Sequence, residues 1–402
     1  MTIRKKLYLK KSVAMKRITR ILLSYCIYLV SGLLAPSLLA QTSAQAQPEA
    51  RALLFVNADE KNAYWQRQVG FAQAVALSFN IELVVEYISP KVRAHLREVE
   101  HISKTLDTSQ VKFDYVISTL PQQNENALLQ ALEKRQIPLL SIKSNLSQLD
   151  NQVSSPRQAY PLWLGHITID DVYAGFVAAK QLINHAAKHT GCKPAECRFN
   201  LMAISGEQYS PIAQQREAGL RRALKYSQQV NLVQTINSDW SPESAYGLMN
   251  QALQKNSAEL FWVADADIAR ATVTSLGYNN FIAGEHALVG AIGWSNDVVD
   301  LIEFGNLEFS LGGDFMLAGW ALILMTDYLS GRDFKQDSGV LIKTKLSKLD
   351  RSSLYSLGQF IKQPEWQEGR LRSFAKRYNP NLKRYLFSAE HFIRQAGVGV
   401  NP

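Results

Sequence analysis

Cysteine is scarce in this chain, with three residues in 402. Only Cys192 and Cys197 lie beyond the first 46 positions, too few for the dense disulfide framework that stabilises small secreted domains. Their close spacing in a turn-like segment predicts a small disulfide loop in an oxidising compartment. The alternative is a zinc site that adds His185 and His189, which are four residues apart, as on one helix face. The disulfide is favoured, and no metal is expected.

Acidic residues are absent from the first 46 positions, which carry eight of the 44 Lys and Arg residues. An apolar run from Ile21 to Ala40 follows the basic segment and leads to Ala44-Gln45-Ala46. This pattern is typical of a secretion signal, residues 1–46, that is cleaved after Ala46. An uncleaved anchor is the alternative, because ~20 apolar residues can span a bilayer. Pro36 and the small residues near the end favour cleavage.

A charge excess is also lacking once that segment is removed, since 36 Lys and Arg then face 35 Asp and Glu. A chain so close to neutral gives no reason to expect nucleic acid as a partner. Phosphate loops, dinucleotide fingerprints, nucleophile elbows and zinc-binding helix motifs are missing as well. Asp265 and Asp267 could serve as an acid and a base, but Asp267, like the pair Asp170-Asp171, is more typical of a helix cap. We therefore expect no enzyme activity and no cofactor.

Short apolar strands alternate with segments of helical period through most of the remaining chain, which predicts an α/β fold with parallel sheets. A polar stretch, residues 145–160, divides this pattern into two series of similar size. The sequence therefore predicts two doubly wound parallel-sheet lobes. The predicted strands span residues 52–56, 81–87, 115–118, 138–141, 162–166, 200–204, 232–236, 260–263 and 288–293.

Loops that follow the carboxyl ends of strands are where open α/β sheets bind ligands. Two facing sheets would bring these loops around a single cleft, and the loops contain Tyr64, Trp65, Asp265 and Trp294. Aromatic walls with a few polar groups suit a small polar ligand that has an apolar face, such as a sugar.

Five segments of the chain carry loop motifs in a fixed order. They are Asn62-Ala-Tyr64-Trp65, Gln214-Gln-Arg216-Glu-Ala-Gly219, Phe261-Trp-Val-Ala-Asp265-Ala-Asp-Ile-Ala, Val289-Gly-Ala-Ile-Gly293-Trp294 and Leu311-Gly-Gly-Asp314-Phe-Met. Their order and spacing resemble those of the type I periplasmic binding proteins, the ribose-binding and autoinducer-binding group, over about residues 51–345.

The resemblance implies a periplasmic solute-binding protein whose two lobes are joined by a three-crossing hinge. Such a protein closes on a small sugar-like molecule and presents it to an inner-membrane ABC permease. The alternative is a receptor that reports its ligand to a membrane sensor kinase or cyclase without transport.

The resemblance also implies a set of ligand-binding residues. They are Tyr64, Trp65, Gln214, Asp265, Trp294 and Asp314. Gln214, Asp265 and Gly293 stand where sugar-binding members carry Arg, Asn and Asp, so ribose itself is not expected. Trp240, Phe315 and Trp320 are expected in packing rather than in the site.

The resemblance also implies where the lobes begin and end. The predicted N-terminal lobe comprises residues 47–164 and 314–338, and the C-terminal lobe 165–313 and 339–345. The predicted crossings lie near Leu164-Gly165, Gly312-Gly313 and Ser338-Gly339. Residues 346–402 form a tail, and its apolar Leu371, Phe374 and Phe387 predict that it packs on the lobes. A docking face for a partner is the alternative role of this tail.

Overall fold

A computed structural model of the chain describes residues 47–89, 92, 97–121, 123–143, 155–192, 196–227, 229–364, 366 and 368–394. The predicted secretion signal and most of the predicted polar stretch 145–160 lie outside the described residues. Among the described residues, no helix combines the length and the apolar character that crossing a membrane requires.

Strands and helices alternate along the first half of the chain. They are β1 (Ala50–Val56), α1 (Ala63–Ser78), β2 (Ile81–Tyr87), α2 (Glu98–Thr108), β3 (Tyr115–Ser118), α3 (Glu125–Lys134), β4 (Leu139–Ile142), β5 (Trp163–Ile169), α4 (Asp171–Thr190), β6 (Phe199–Ser205), α5 (Pro211–Lys225) and β7 (Val230–Asn237). The core strands are short apolar runs that are buried on both faces, as parallel sheets covered by helices require.

The alternation continues up to a terminal group of short elements. They are α6 (Pro242–Leu253), β8 (Leu260–Val263), α7 (Ala266–Tyr278), β9 (Leu288–Ile292), α8 (Asn296–Glu303), β10 (Phe309–Gly312), α9 (Leu317–Leu329), α10 (Lys335–Ser338), β11 (Leu341–Thr344), β12 (Ser347–Asp350), α11 (Gln359–Lys362), α12 (Glu368–Arg372) and α13 (Ala389–Arg394).

Two six-stranded sheets organise these elements. The N-terminal sheet has the order β11-β5-β4-β3-β1-β2, and the C-terminal sheet has the order β12-β10-β9-β8-β6-β7. Neighbouring strands are parallel, except that β12 runs antiparallel to β10. The predicted fold class of two doubly wound parallel-sheet lobes is confirmed.

The chain passes between the sheets at positions that differ from two of the predicted crossings. Strand β5 pairs with β4 and β11, so the first crossing follows Ile169 rather than Leu164-Gly165. Gly165 is instead a packing position, where a Cβ would lie 2.9 Å from the ring of Phe334. The second crossing follows Gly312, at the end of β10. The third joins β11 to β12 after Thr344 rather than Ser338-Gly339, so β12 belongs to the C-terminal sheet and not to the tail.

Side-chain caps fix where several helices begin at the carboxyl ends of strands. Each cap oxygen accepts a hydrogen bond from a backbone N–H in the first helical turn. These N–H groups have no acceptor within the helix itself, so the cap supplies one. The caps are Asn62 for α1, Asp170 for α4, Ser210 for α5, Ser241 for α6, Asp265 for α7 and Ser295 for α8. The positive ends of these helices therefore point toward one edge of each sheet.

Helix α9 is buried on almost every face. Phe315 and Trp320 are 2% and 1% exposed, so their predicted packing role agrees with the structure. The tail explains this burial, because Phe387 stacks on the Trp320 ring at a centroid distance of 4.7 Å and Phe374 packs against it, tilted, at 5.0 Å. The tail is thus part of the protein core.

Candidate functional site

A cleft of about 620 Å³ lies at the carboxyl ends of strands from both sheets. This volume falls in the range of sites for small molecules. Its walls come from the loop and first turn of α1, the residue after β4, the starts of α5, α6 and α7, the loop between β9 and α8, and the segment after β10.

Tyr64 and Trp65 form an aromatic wall on the N-terminal lobe. The Asn62 cap accepts a hydrogen bond from the Trp65 N–H at 3.1 Å, which fixes the two residues in the first turn of α1. Their rings meet edge to face at 5.5 Å. The Tyr64 hydroxyl donates to Asp314 Oδ2 at 3.1 Å, and burial followed by the Asp314 charge raises the pKa of Tyr64 well above its ordinary value. Tyr64 therefore remains a neutral hydrogen-bond donor at any physiological pH.

Lys143 brings a cation to the same wall. It directly follows β4 and has a left-handed backbone with φ of 62°. Its ammonium lies 3.7 Å from the centroid of the Tyr64 ring and 5.2 Å from that of Trp65. Burial lowers the pKa of Lys143, while Asp314 acts in the opposite direction. A ligand that stacks on Tyr64 would meet this ammonium and could accept a hydrogen bond from it.

Arg216 is the buried cation of the C-terminal lobe. Its guanidinium donates to Asp171 Oδ1 at 2.8 Å and to the Ala264 carbonyl at 2.6 Å, and it lies 3.7 Å from Asp265. Burial alone would lower the pKa of Arg216, but the surrounding carboxylates outweigh it and raise that pKa. Burial also raises the pKa of Asp171, against the effect of Arg216.

Close helix packing allows this ion pair to form. A Cβ at Gly175 of α4 would lie 2.0 Å from the Arg216 carbonyl oxygen, and one at Gly219 of α5 would lie 2.0 Å from the Val172 oxygen. Any larger side chain at either glycine would push the two helices apart. The glycines thus place the start of α4, with Asp171, against Arg216.

Asp265 is a carboxylate of the cleft that caps a helix and has a raised pKa. Its Oδ1 accepts a hydrogen bond from the Asp267 N–H at 2.9 Å, so Asp265, rather than the predicted Asp267, caps α7. Burial is the largest effect on it, Arg216 opposes that effect and Asp267 adds to it, and the pKa of Asp265 is raised to about 6. Burial, assisted by Asp297, also raises the pKa of Asp267.

Arg67 of α1 connects the two lobes at one side of the cleft. Its guanidinium donates to the Trp294 carbonyl at 2.7 Å and to Asn296 Oδ1 at 3.1 Å, both in the C-terminal lobe. Burial lowers the pKa of Arg67. A residue on one lobe thus binds the loop that follows β9 on the other.

Five of the six predicted ligand-binding residues line this cleft. They are Tyr64, Trp65, Asp265, Trp294 and Asp314. Trp294 is nearly buried, at 5% exposure, and its indole covers Gly312, where a Cβ would lie 2.3 Å from the ring. The indole N–H donates to the Ser310 carbonyl at 3.3 Å, so much of this side chain packs in the hinge region.

Gln214 is the predicted residue that does not line the cleft. Its side chain is exposed, and its amide donates to the Gln208 carbonyl at 3.1 Å. Gln214 and Arg216 are two positions apart, which is about 200° around a helix, so only one of them can face the cleft. The structure places Arg216 there.

The cleft residues Arg67, Lys143, Arg216 and Trp240 are not in the set of ligand-binding residues predicted from the sequence. Trp240 packs on Gly206, in agreement with its expected packing role, and it also lines the cleft where the chain turns from β7 into α6, with φ of 69°. Lys143 and Trp240 both lie at the carboxyl ends of strands, and this position is the signal that could have identified them. Arg67 gave no such signal, because it lies in the second turn of α1 and not in a loop directly after a strand.

The predicted disulfide pair lies outside the residues that line the cleft. Cys192 and Cys197 are joined by a disulfide, and their Cα atoms are 5.7 Å apart. His185, the neighbour considered for zinc, lies 3.5 Å from a Glu308 oxygen. Within the described ranges, no group of three His, Cys, Asp or Glu side chains is arranged to hold a metal ion.

A family model described as a periplasmic binding protein domain matches residues 53–333, which include most of both lobes. The chain belongs to the periplasmic binding protein family. Proteins of this family are periplasmic ligand binders rather than enzymes. No curated protein sequence matches the chain.

Solved structures of periplasmic binding proteins share this fold. A periplasmic sugar-binding protein from Pseudomonas fluorescens has a TM-score of 0.71 at 23% identity, covering 86% of this chain and 100% of its own. The arabinose-transporter binding protein of a Shewanella species, bound to L-arabinofuranose, has a TM-score of 0.63 at 14% identity, covering 80% of this chain and 97% of its own. A solute-binding protein from Actinobacillus succinogenes with bound D-allose has a TM-score of 0.59 at 18% identity, covering 76% of this chain and 98% of its own.

Proposed function

We propose that this periplasmic binding protein closes on a small polar ligand, a sugar or a sugar-like molecule, and presents it to an ABC transporter. The main support for this proposal is the composition of the cleft. It sets the Tyr64 and Trp65 rings near Lys143, Arg216, Asp265 and Asp314. The sugars named for solved structures of the same fold agree with this ligand class.

A sugar presents two kinds of surface that this cleft can bind. The C–H face of a pyranose or furanose ring packs on aromatic rings. Its hydroxyl groups both donate and accept hydrogen bonds, so they can donate to Asp265 and Asp314 and accept from Lys143 and Arg216. The proposed ligand-binding set is therefore Tyr64, Trp65, Asp265, Trp294 and Asp314 together with Lys143, Arg216 and Trp240.

Closure of the lobes would require contacts that the ligand makes better in the closed form than in the open form. Tyr64 and Lys143 belong to one lobe, while Arg216 and Asp265 belong to the other. A ligand held by both pairs would stabilise an arrangement in which the lobes are close together, and the bond from Arg67 of one lobe to the Trp294 carbonyl of the other would act in the same direction.

A thermal-shift screen of residues 47–402 tests the ligand class. The panel contains neutral pentoses, hexoses, polyols and the corresponding sugar acids. At least one neutral sugar is expected to raise the melting temperature in a saturable way, because a ligand at 100 times its Kd adds about 2.7 kcal/mol to the free energy of unfolding. Gln214→Ala serves as the matched control and should keep the full response. A panel in which no sugar or polyol has an effect would contradict the proposed ligand class.

The transport step needs a separate test in cells. Uptake of the radiolabelled sugar identified in the screen is expected to fall when the gene is deleted and to return when it is restored. Unchanged uptake would refute presentation to a transporter while leaving sugar binding intact.

The pH dependence of binding tests the role of Asp265. Its pKa of about 6 means that the carboxyl is ionised above pH 6 and protonated below it. An ionised carboxylate accepts a stronger hydrogen bond from a sugar hydroxyl, so we expect the affinity to be constant above about pH 7, to be roughly halved at pH 6 and to fall about tenfold by pH 5. Calorimetric titration across this range gives the midpoint. Asp265→Asn should flatten the profile, whereas Asp267→Asn should preserve it; a flat wild-type profile would exclude this role.

A further inference from the structure

The tail after β12 is attached first to the C-terminal lobe. It runs through a π-helical turn, Leu354–Gly358, into α11, which packs near α8. The Lys362 ammonium at the end of α11 lies 2.7 Å from Asp300 Oδ1 and 3.2 Å from Glu303 Oε2, both on α8. This part of the tail thus moves with the C-terminal lobe.

The next part of the tail, from Arg372 to Tyr385, is attached to the N-terminal lobe through Asp327 of α9. This fully buried carboxylate accepts hydrogen bonds from the backbone N–H groups of Lys376 and Arg377, at 2.7 and 2.8 Å, and from the Tyr385 hydroxyl at 2.7 Å. The Arg372 guanidinium also donates to the Ser78 carbonyl at 2.7 Å. Since a buried carboxylate without donors is strongly unfavourable, these bonds tie the tail firmly to this lobe.

An aromatic group joins the two parts, and we name it the hinge cluster. Its members are Phe71, Phe315, Phe360, Trp366 and Phe392. Phe360, on the C-terminal-lobe side, lies 5.2 Å from the Trp366 ring and 5.6 Å from that of Phe392. Phe71 of α1 lies 4.9 Å from Trp366. Moving the lobes apart would separate Phe360 from these rings and expose them, and each such ring buries about 150–250 Å².

The hinge cluster also lies beside Arg67, which is hydrogen-bonded across the cleft to the other lobe. The Arg67 guanidinium is 5.7 Å from the centroid of Phe315, which follows the second crossing and lies 6.3 Å from Phe360. The contact between the lobes at the cleft and the contact through the tail are therefore adjacent.

We propose that the tail is a brace that limits how far the two lobes open when no ligand is bound. The three strand crossings can bend, but the tail passes between the lobes once more and buries apolar surface that opening would expose. The braced protein keeps a narrow range of lobe separations, so less of the ligand-binding free energy is spent on closing it.

Distance measurement between the lobes, without any ligand, tests the brace. Spin labels are placed by Lys61→Cys and Tyr209→Cys on exposed loops of opposite lobes, and the disulfide-bonded Cys192 and Cys197 do not react. Double electron–electron resonance should give one narrow distribution for the labelled parent. Adding Phe360→Ala should shift its mean to longer distance by several ångströms and broaden it.

The matched control is Phe387→Ala, which removes the same side chain from a place where its ring packs on Trp320 of the N-terminal lobe and on Tyr385 of the tail. It should leave the distance distribution at the parent value. An unchanged distribution in Phe360→Ala, or an equal shift in Phe387→Ala, would overturn the brace.

A surface variant keeps the test decisive if Phe360→Ala does not fold. Lys362→Glu replaces a half-exposed ion pair with repulsion from Asp300 and Glu303, without touching the core. It should also lengthen the mean distance between the labels, but by less than Phe360→Ala does. Arg270→Glu reverses a comparable pair with Asp297 inside the C-terminal lobe and should have no effect. Identical distributions for Lys362→Glu and the parent would then refute the brace.

Discussion

Replacing Arg216 by methionine is expected to lower the free energy of unfolding by about 3–5 kcal/mol and to remove ligand binding. Arg216 and Asp171 have side chains that are only 5% and 7% exposed. The substitution leaves Asp171 buried without its cation and takes from the cleft a donor for ligand hydroxyls. Urea unfolding at neutral pH gives the first effect, and calorimetric titration with the sugar from the screen gives the second.

The double variant with Asp171→Asn separates the buried charge from other causes. It removes the unpaired carboxylate, so most of the lost stability should return although binding stays absent. The single variant should also lose less stability in acid, because protonation of Asp171 removes the charge and the pKa of this carboxyl is already raised by burial. Wild-type stability in Arg216→Met would show that the ion pair does not hold the site together.

Replacing Trp65 by alanine is expected to weaken sugar binding about ten- to a hundredfold with little change in melting temperature. A sugar ring that covers roughly 50–100 Å² of the aromatic wall gains about 1–3 kcal/mol at about 25 cal/mol per Å². Trp65 is only half-buried and its backbone holds the cap of α1, so the fold does not depend on the indole. Calorimetric titration provides the dissociation constants.

Two further substitutions place limits on that result. Trp65→Phe keeps a stacking face and should retain most of the affinity. Trp294→Ala should lose both binding and stability, because the buried indole fills the space over Gly312 and its removal leaves a cavity. Full affinity in Trp65→Ala would remove this ring from the ligand site.

The parts of the site that the sequence predicts best are those tied to the ends of strands. Tyr64, Trp65 and Asp265 directly follow or begin elements with clear apolar periodicity, so their place at the edge of a parallel sheet follows from the fold. Their role in binding stays a prediction. Lys143 occupies an equivalent position, but a lysine beside a polar stretch is typical of any solvent-exposed loop.

Other features depend on geometry that the sequence pattern does not contain. A motif alignment places Gln214 and Arg216 in the same helix start, yet a rotation of about 200° between them decides which one enters the cleft. The first and third crossings depend on the pairing of β11 with β5, which is a contact between distant segments.

For the tail, the sequence predicts burial but not the partners to which it is attached. Its apolar residues Leu371, Phe374 and Phe387 predict burial on the lobes, and the structure buries all three. That the tail is attached to both lobes depends on Lys362 meeting α8 while Lys376 and Arg377 meet Asp327. No local pattern in those segments identifies these partners.

A crystal structure of residues 47–402 with the sugar from the screen tests the central claim most directly. We expect one sugar in the cleft, with its C–H face on Tyr64 or Trp65 and its hydroxyl groups bonded to Asp265 and Arg216. A sugar bound outside the cleft, or one inside it that touches neither aromatic ring, would contradict the account.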